Sequence, residues 1–162
     1  ILSHQKNTIH MKFTPSKLNM YLFAKLPSAY WSGVRVSSID ENKCIVRVKH
    51  SWFNQNPFKS MYFAVQAMAA ELSTGALVML QIQKSKQKIS MLVANNNGSY
   101  TKKATGLITF TCIDGKKVRE AINQAVETGE GQKFWMQSIG KDEVGDQVSE
   151  MNFEWTIKVK HS

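Results

Sequence analysis

The chain has 162 residues, with 21 Lys and Arg against 12 Asp and Glu, which gives a formal net charge of +9. Hydrophobic residues make up 43% and charged residues 20%, a composition that excludes a disordered chain. The only cysteines are Cys44 and Cys112, too few for a disulfide framework, so a reducing, cytoplasmic compartment is expected. The length predicts a single domain over 1–162.

The first half predicts a short helix and a hairpin before the most apolar segment. The helix runs over about 15–26, because Pro15 favours a helix start and Pro27 ends it. The hairpin has strands at 30–38 and 43–50, joined by a polar turn. Alternation in its second strand indicates one buried face.

A long helix is predicted over about 57–82. Asn56 before Pro57 is typical of a helix start, with Asn56 as the N-cap. Glu71 is the only charged residue between Ser60 and Ile82. The segment is long enough to cross a bilayer, but a central carboxylate is costly there, so we expect a buried core helix and no membrane span. Residues 1–12 contain no apolar run typical of a secretory signal.

The second half is predicted to be mostly strand. Strands are expected at 89–97, 104–113 and 132–140, with a short helix over 116–127. The last strand has the clearest alternation, with the apolar series Met151, Phe153, Trp155, Ile157 and Val159. Together these elements predict an α+β fold in which a curved antiparallel sheet wraps around the long helix, since nothing else buries that helix on so many sides.

Glu71 is the first candidate catalytic residue. A carboxylate in an apolar helix has a raised pKa and is suited to act as a general base or nucleophile. The alternative is a structural ion pair with a lysine or arginine of another strand or subunit, such as Arg47 or Arg35. Small residues on the same helix face leave room for a substrate: Ala64, Ala67 and Gly75.

Asn56 and Ser60 are candidates because they lie at the predicted helix start. Free backbone N–H groups at a helix N-terminus polarise a carbonyl or hold an oxyanion, and the Ser60 hydroxyl can join them. Asn56 and Glu71 are fifteen residues apart, roughly 22 Å along a straight helix. One thioester cannot contact both. Either the site combines two subunits, or Glu71 acts with nearer donors such as Tyr62, Gln66 or Thr74.

No other chemistry is indicated by the sequence. There is no metal-ligand spacing, no Ser-His-Asp arrangement and no Gly-rich phosphate loop, and the lone His50 is interpreted as structural. Basic residues are not interleaved with aromatic residues, so no nucleic-acid partner is expected, although the charge of +9 keeps nucleic-acid binding as a third hypothesis. Lys102 and Lys103 suit the phosphates of a carrier such as coenzyme A.

Several segments resemble the DUF4442 family, which is similar to hot-dog fold thioesterases. They are Asn56-Pro57-Phe58-Lys59-Ser60-Met61-Tyr62-Phe63, Ala70-Glu71-Leu72, Tyr100-Thr101-Lys102-Lys103-Ala104, Asp114-Gly115, Thr128-Gly129-Glu130 and Phe153-Glu154-Trp155. The resemblance implies a hot-dog homodimer or tetramer acting on acyl-CoA-like thioesters, with no cofactor beyond the coenzyme A of the substrate. It also implies that Glu71 supplies the catalytic carboxylate and the helix start near Asn56 and Ser60 polarises the carbonyl.

One departure from the relatives is visible. Many carry His-Gly-Gly about eight residues before the acid, where this chain has Phe63-Ala64-Val65. The resemblance as a whole still gives the leading hypothesis, a cytoplasmic thioester hydrolase. Its substrate would contact the following residues: Tyr62, Ala64, Ala67, Gly75, Lys102 and Lys103. The alternative is a non-catalytic module that binds acyl-CoA or lipid on the same fold.

Overall fold

The structure is a computed structural model that describes residues 13–160. The expectation about a signal in residues 1–12 lies outside this range. Within residues 13–160, six strands form one antiparallel sheet, and four α-helices accompany it. The elements are α1 (Pro15–Lys25), α2 (Pro27–Trp31), β1 (Arg35–Ile39), β2 (Cys44–Lys49), α3 (Phe63–Ser85), β3 (Ile89–Tyr100), β4 (Leu107–Cys112), α4 (Gly115–Thr128), β5 (Gln132–Lys141) and β6 (Gln147–Val159). A 3-10 turn, Trp52–Asn54, follows β2.

The N-terminal helix forms as predicted, but the segment after it differs. The Thr14 hydroxyl caps α1 by accepting a hydrogen bond from the Lys17 N–H at 3.3 Å. Pro27 ends α1 and is also the first residue of α2, because its fixed φ suits a helix start. The predicted strand over 30–38 is therefore shortened to β1, Arg35–Ile39.

The strands lie in the order β1-β2-β4-β5-β6-β3, and every neighbouring pair is antiparallel. β6 pairs with β5 on one side and β3 on the other, and its alternate side chains Met151, Phe153, Trp155 and Ile157 are buried as its sequence predicts. The helix α3 packs against β1, β2, β4, β5 and β6. The predicted α+β arrangement of a sheet around one central helix is present.

The helix α3 begins later than predicted. Its first residue is Phe63, six residues after the predicted start at 57, and its last is Ser85, where Lys86 adopts a left-handed conformation with φ 57°. This helix is long and apolar enough to cross a membrane, but 61% of its most apolar window is buried by the rest of the domain. Its apolar character thus reflects a place in the core.

The helix α4 lies close to the β1–β2 turn. A Cβ on Gly115 would lie 2.1 Å from the backbone oxygen of Glu41, so only glycine fits at this start of α4. Val118, Ile122 and Ala125 form its buried stripe at helical spacing. The helix begins one residue before the predicted range of 116–127 and ends one residue after it.

Candidate functional site

Asn56 holds a tight turn in front of α3 and is not its N-cap. Its Oδ1 accepts hydrogen bonds from the N–H groups of Phe58 at 2.9 Å and Ser60 at 3.3 Å. Its Nδ2 donates to Ser60 Oγ at 3.0 Å, and its backbone N–H donates to the Ser60 carbonyl at 2.8 Å. Lys59 completes the turn with φ 58°. The Asn-Pro pair therefore starts a turn here, which explains the wrong helix start predicted from it.

The N-terminus of α3 is not capped by a side chain. Tyr62 is the N-cap residue, and its N–H donates to the Asn54 carbonyl at 2.9 Å. Within residues 13–160, no acceptor bonds the N–H groups of Phe63 or Ala64. These two donors carry the partial positive charge of the helix N-terminus, so a carbonyl or oxyanion is attracted to this position.

A cavity of about 530 Å³ lies at this helix start. Five of the predicted site residues line it: Asn56, Ser60, Tyr62, Lys102 and Lys103. Its aromatic lining, formed by Phe58, Phe63 and Tyr100, was not predicted. Tyr62, Phe63 and Tyr100 pack edge to face with ring centroids 4.9 Å and 6.1 Å apart, and each ring is about half exposed. The apolar residues after Asn56-Pro57 were the available signal for these walls.

Gln66 supplies a buried polar atom beside the same cavity. Its side chain is 4% exposed, and its Nε2 donates to the Met61 carbonyl at 3.5 Å. Its Oε1 has no hydrogen-bond partner in the described chain. A buried acceptor left unpaired is costly, so a ligand or water that donates a hydrogen bond there would be stabilised.

The two lysines of the cavity differ in charge environment. Lys102 Nζ lies 2.6 Å from Asp142 and 2.8 Å from Asp146, and these carboxylates raise its pKa. Lys103 is exposed and forms no ion pair with any residue of the range 13–160. Lys103 is thus the lysine whose charge is available to a ligand, whereas that of Lys102 is largely neutralised.

Glu71 lies elsewhere, beside a small apolar cavity of about 60 Å³. The cavity is enclosed by α1, α3, β3 and β6 through Leu18, Tyr21, Leu22, Leu26, Leu72, Gly75, Ala76, Met79, Met91 and Trp155. Glu71 has neither an ion pair nor a side-chain hydrogen bond with any described residue. Arg35 donates instead to the carbonyls of Tyr30 and Val34, and Arg47 is exposed on β2. Neither arginine is therefore an ion-pair partner of Glu71 within the described chain.

The surroundings of Glu71 keep its carboxyl group in an apolar setting. Burial raises its pKa above the usual 4.5. The Trp155 indole N–H donates to Thr74 Oγ1 at 3.0 Å, and the Thr74 hydroxyl donates to the backbone carbonyl of Glu71 at 2.8 Å. A Cβ on Gly75 would lie 3.2 Å from the Trp155 ring and 3.4 Å from Glu71 Oε1. Gly75 thus lets the carboxylate and the indole approach the same turn of α3.

The predicted site is therefore split. Gly75 lies with Glu71, whereas Asn56, Ser60 and Tyr62 lie at the helix start. Ala64 and Ala67 are half-buried on α3 and line neither cavity. The helix rises about 12 Å between Phe63 and Glu71, too far for one thioester to contact both within a subunit.

Other reactive groups in the described residues are less suitable. Burial raises the pKa of Cys44 and of Cys112 to about 12, so neither is a thiolate near neutral pH. Residues 13–160 contain no cluster of three or more potential metal ligands. A groove of about 540 Å³ lies on the outer face of β4 and β5, but its Asp142 is paired with Lys102 and its Asp114 with Lys117.

Solved structures share this architecture. A probable thioesterase of otherwise unknown function, PA5026 from Pseudomonas aeruginosa, is 22% identical, with a TM-score of 0.75 over 93% of this chain and 99% of its own. OLEI01261 from Chlorobaculum tepidum, of unknown function, is 16% identical, with a TM-score of 0.77 over 90% of this chain and 94% of its own. The thioesterase HI1161 from Haemophilus influenzae is 14% identical, with a TM-score of 0.69 over 93% of this chain and 94% of its own.

At these identities the likeness establishes the fold, which is the predicted hot-dog arrangement. No curated protein matches the sequence. The family model named "Domain of unknown function (DUF4442)" matches residues 18–157. The chain therefore belongs to the DUF4442 family and has a thioesterase-like hot-dog fold.

Proposed function

We propose that the protein hydrolyses acyl thioesters of coenzyme A or a related carrier. The observation that carries the proposal is Glu71, a carboxylate in an apolar setting that no described residue neutralises. A carboxylate in such a setting costs stability, and an unpaired group of this kind is therefore a candidate functional residue. Because burial raises its pKa, Glu71 is a stronger base than an exposed carboxylate and is better matched to proton transfer near neutral pH.

The chemistry needs one base and one oxyanion site. Glu71 takes a proton from water while the water oxygen bonds to the thioester carbon, and the carbonyl oxygen becomes an oxyanion. The uncapped N–H group of Phe63, which lines the cavity at the helix start, donates to that oxygen. The carbon–sulfur bond then breaks, the carbonyl reforms, and the thiolate takes the proton from Glu71. The products are a carboxylic acid and the free thiol of the carrier.

Two subunits would bring these groups together, because about 12 Å of helix separates them within one chain. The two sheet edges differ in their capacity to pair. At the β1 edge, the Asn19 side chain donates to the Val36 carbonyl at 2.9 Å and accepts from the Val36 N–H at 2.8 Å. At the other edge, β3 is twelve residues long, and most of its side chains from Leu92 onward are exposed. We expect β3 to pair with its copy in a homodimer, which brings the partner's α3 alongside.

The N-terminal cavity fits the carrier of the substrate. The aromatic walls Phe58, Phe63 and Tyr100 suit an extended flexible arm, and the unpaired Gln66 Oε1 would accept a hydrogen bond from an amide N–H of that arm. Lys103 would contact a phosphate. No cofactor beyond the carrier is required, and the two buried, unpaired cysteines are in keeping with a cytoplasmic protein.

The test separates the base from the oxyanion donors. Glu71→Gln keeps the shape of the side chain and should lower kcat for hydrolysis of an acyl-CoA panel by about 10²–10⁴-fold. Phe63→Pro removes one N–H at the first helical position, where proline is tolerated because Tyr62 is already extended with ψ 135°. Phe63→Ala is the matched control, since it removes the ring but keeps the N–H.

We expect Phe63→Pro to lose roughly 10²-fold more activity than Phe63→Ala, with similar thermal stability. Unchanged hydrolysis in Glu71→Gln would remove Glu71 from the mechanism. Equal rates for the two Phe63 variants would remove this N–H from it.

A non-catalytic acyl-CoA or lipid-binding module is the second candidate. It is favoured by the small volume beside Glu71, about 60 Å³, and by Phe63-Ala64-Val65 in place of the His-Gly-Gly of many relatives. Saturable acyl-CoA binding without release of free thiol over the whole panel would support it and contradict the hydrolase.

A further inference from the structure

The first two helices expose an apolar surface that the core does not use. On α1, Leu18 and Leu22 point inward and are buried. Three large side chains on α1 and α2 are exposed: Met20 by 66%, Phe23 by 53% and Trp31 by 63%. We call these three residues the N-terminal apolar face. Exposed clusters of this kind mark binding surfaces rather than packing.

The rings of this face support each other. Phe23 packs against Tyr30 at 5.1 Å and against Trp31 at 6.3 Å between ring centroids. The Arg35 guanidinium lies 3.6 Å above the Tyr30 ring. Beside them is a groove of about 550 Å³, lined by Ser16, Asn19, Met20, Phe23, Tyr30 and Arg35. The face is therefore pre-organised and carries a cation at its edge.

The chain segments that form and follow the face carry charge of one sign. Residues 13–39 contain Lys17, Lys25 and Arg35 and no Asp or Glu. Residues 42–70 contain four more basic residues and no acidic residue. The second segment is joined to the first by the Asn54 side chain, whose Nδ2 donates to the Ser32 carbonyl at 2.9 Å. It adds two further exposed rings, those of Trp52 at 83% and Phe53 at 64% exposure.

We propose that the N-terminal apolar face docks on the surface of an anionic lipid bilayer. Aromatic and long apolar side chains enter the headgroup region, while lysine and arginine interact with acidic headgroups. The absence of carboxylates over two long segments removes the repulsion that would oppose this contact. Stacking on nucleic-acid bases suits the face less well, because the three rings pack edge to face against one another. This inference does not depend on the proposed hydrolysis.

The test is co-sedimentation of the full chain with phosphatidylcholine vesicles, with or without about 30% phosphatidylglycerol. Phe23→Ser/Trp31→Ser removes two exposed rings. Its matched control, Ile113→Ser/Val144→Ser, removes side chains of 72% and 80% exposure far along the chain. Lys17→Gln/Lys25→Gln tests the charges without altering the rings, with Lys116→Gln/Lys133→Gln as its control. Circular dichroism and thermal melting check that each variant is folded.

We expect binding only to the anionic vesicles, weakened by salt. The lysine pair should lower the partition coefficient by about 30-fold, since each basic residue near the surface contributes about 1 kcal/mol. The aromatic pair should lower it at least as much, and both controls should bind as the unaltered chain does. Absence of vesicle binding, or equal effects of variants and controls, would overturn the proposal. Self-association or RNA binding that the aromatic pair abolishes, without vesicle binding, would also overturn it by assigning the face to a second copy or to RNA.

Discussion

The turn before α3 depends on one side chain, and Asn56→Ala removes it. The Asn56 amide bonds the N–H groups of Phe58 and Ser60 and the Ser60 hydroxyl. No other side chain in residues 13–160 bonds these three groups. This turn leads directly into Met61 and the uncapped start of α3. Its loss should therefore affect both folding and the geometry of the proposed oxyanion site.

The size of the effect follows from the burial of the partners. Phe58 is exposed, so water replaces its lost hydrogen bond at little cost. Ser60 is only 5% exposed, so its N–H and hydroxyl are left largely unpaired, and a buried unpaired group costs about 1–3 kcal/mol. We expect Asn56→Ala to lower the free energy of unfolding by about 2 kcal/mol and Tm by about 4–8 °C.

Urea unfolding of Asn56→Ala should be compared with that of two variants. Asn56→Asp keeps the acceptor oxygen and lets the Ser60 hydroxyl donate, so it should lie within about 0.5 kcal/mol of the unaltered chain. Asn123→Ala, on the exposed side of α4, should not lower stability. If Asn56→Ala lost under about 0.5 kcal/mol, or if Asp were as harmful as Ala, the side-chain hydrogen bonds would not be what holds the turn.

Two further predictions concern α3. Because the folded-state pKa of Glu71 is raised above 4.5, the folded chain holds this proton more tightly than the unfolded chain, and stability falls as pH rises above 4.5. Glu71→Gln should therefore be more stable than the unaltered chain near neutral pH, and the difference should shrink as pH falls through the raised pKa of Glu71 toward 4.5 in thermal melts; a pH-independent difference would contradict this. Ser73→Ala should cost about 1–3 kcal/mol by leaving the buried Ser138 hydroxyl, now 2.8 Å from Ser73 Oγ, without that partner. Ser73→Ala/Ser138→Ala should cost less than the sum of the single changes, and an additive result would argue against the coupling.

The parts of the fold that were predictable are those in which local pattern and burial agree. Alternation in β6 reflects its position between β5 and β3, with one face against the core. The near-absence of charge in α3 reflects the strands around it. In both elements the residue spacing directly records which side chains meet the core, so sequence alone suffices.

The helix start was not predictable because its local signal is ambiguous. Asn-Pro favours the first turn of a helix, but it equally favours a tight turn whose side chain bonds the backbone two residues on. The choice between them is made by the Gln55–Met61 bridge and by the Met61 N–H donating to the Ala104 carbonyl at 2.8 Å. The Met61–Ala104 bond joins parts of the chain that are far apart in sequence, so the spacing of residues near Asn56 does not reveal it.

The division of the candidate site could not be foreseen for a related reason. Helical spacing correctly grouped Gly75 with Glu71, but it does not say what covers that face. In the fold, Leu18 and Leu22 of α1 and the following Leu26 close it, while the helix start opens to a separate cavity. The proposed chemistry therefore depends on whether a second subunit supplies what one chain keeps apart.

Subunit mixing tests this directly. In a shared site, Glu71 of one subunit acts on a substrate held at the α3 start of its partner, so Glu71→Gln and Phe63→Pro disable different halves. A hybrid dimer with one subunit of each kind would contain one fully intact site and one doubly disabled site.

If the two variants are unfolded together and refolded at equal amounts, half of the dimers are hybrids. Recovered hydrolysis should then approach about one quarter of the rate of the unaltered protein, well above either variant alone. A matched mixture of Glu71→Gln with Phe63→Ala controls for refolding yield. If each site lies within one subunit, every site in every dimer carries one defect, and mixing recovers nothing. Activity no higher than the mean of the two variants, with hybrids verified by mass spectrometry, would therefore contradict the shared site.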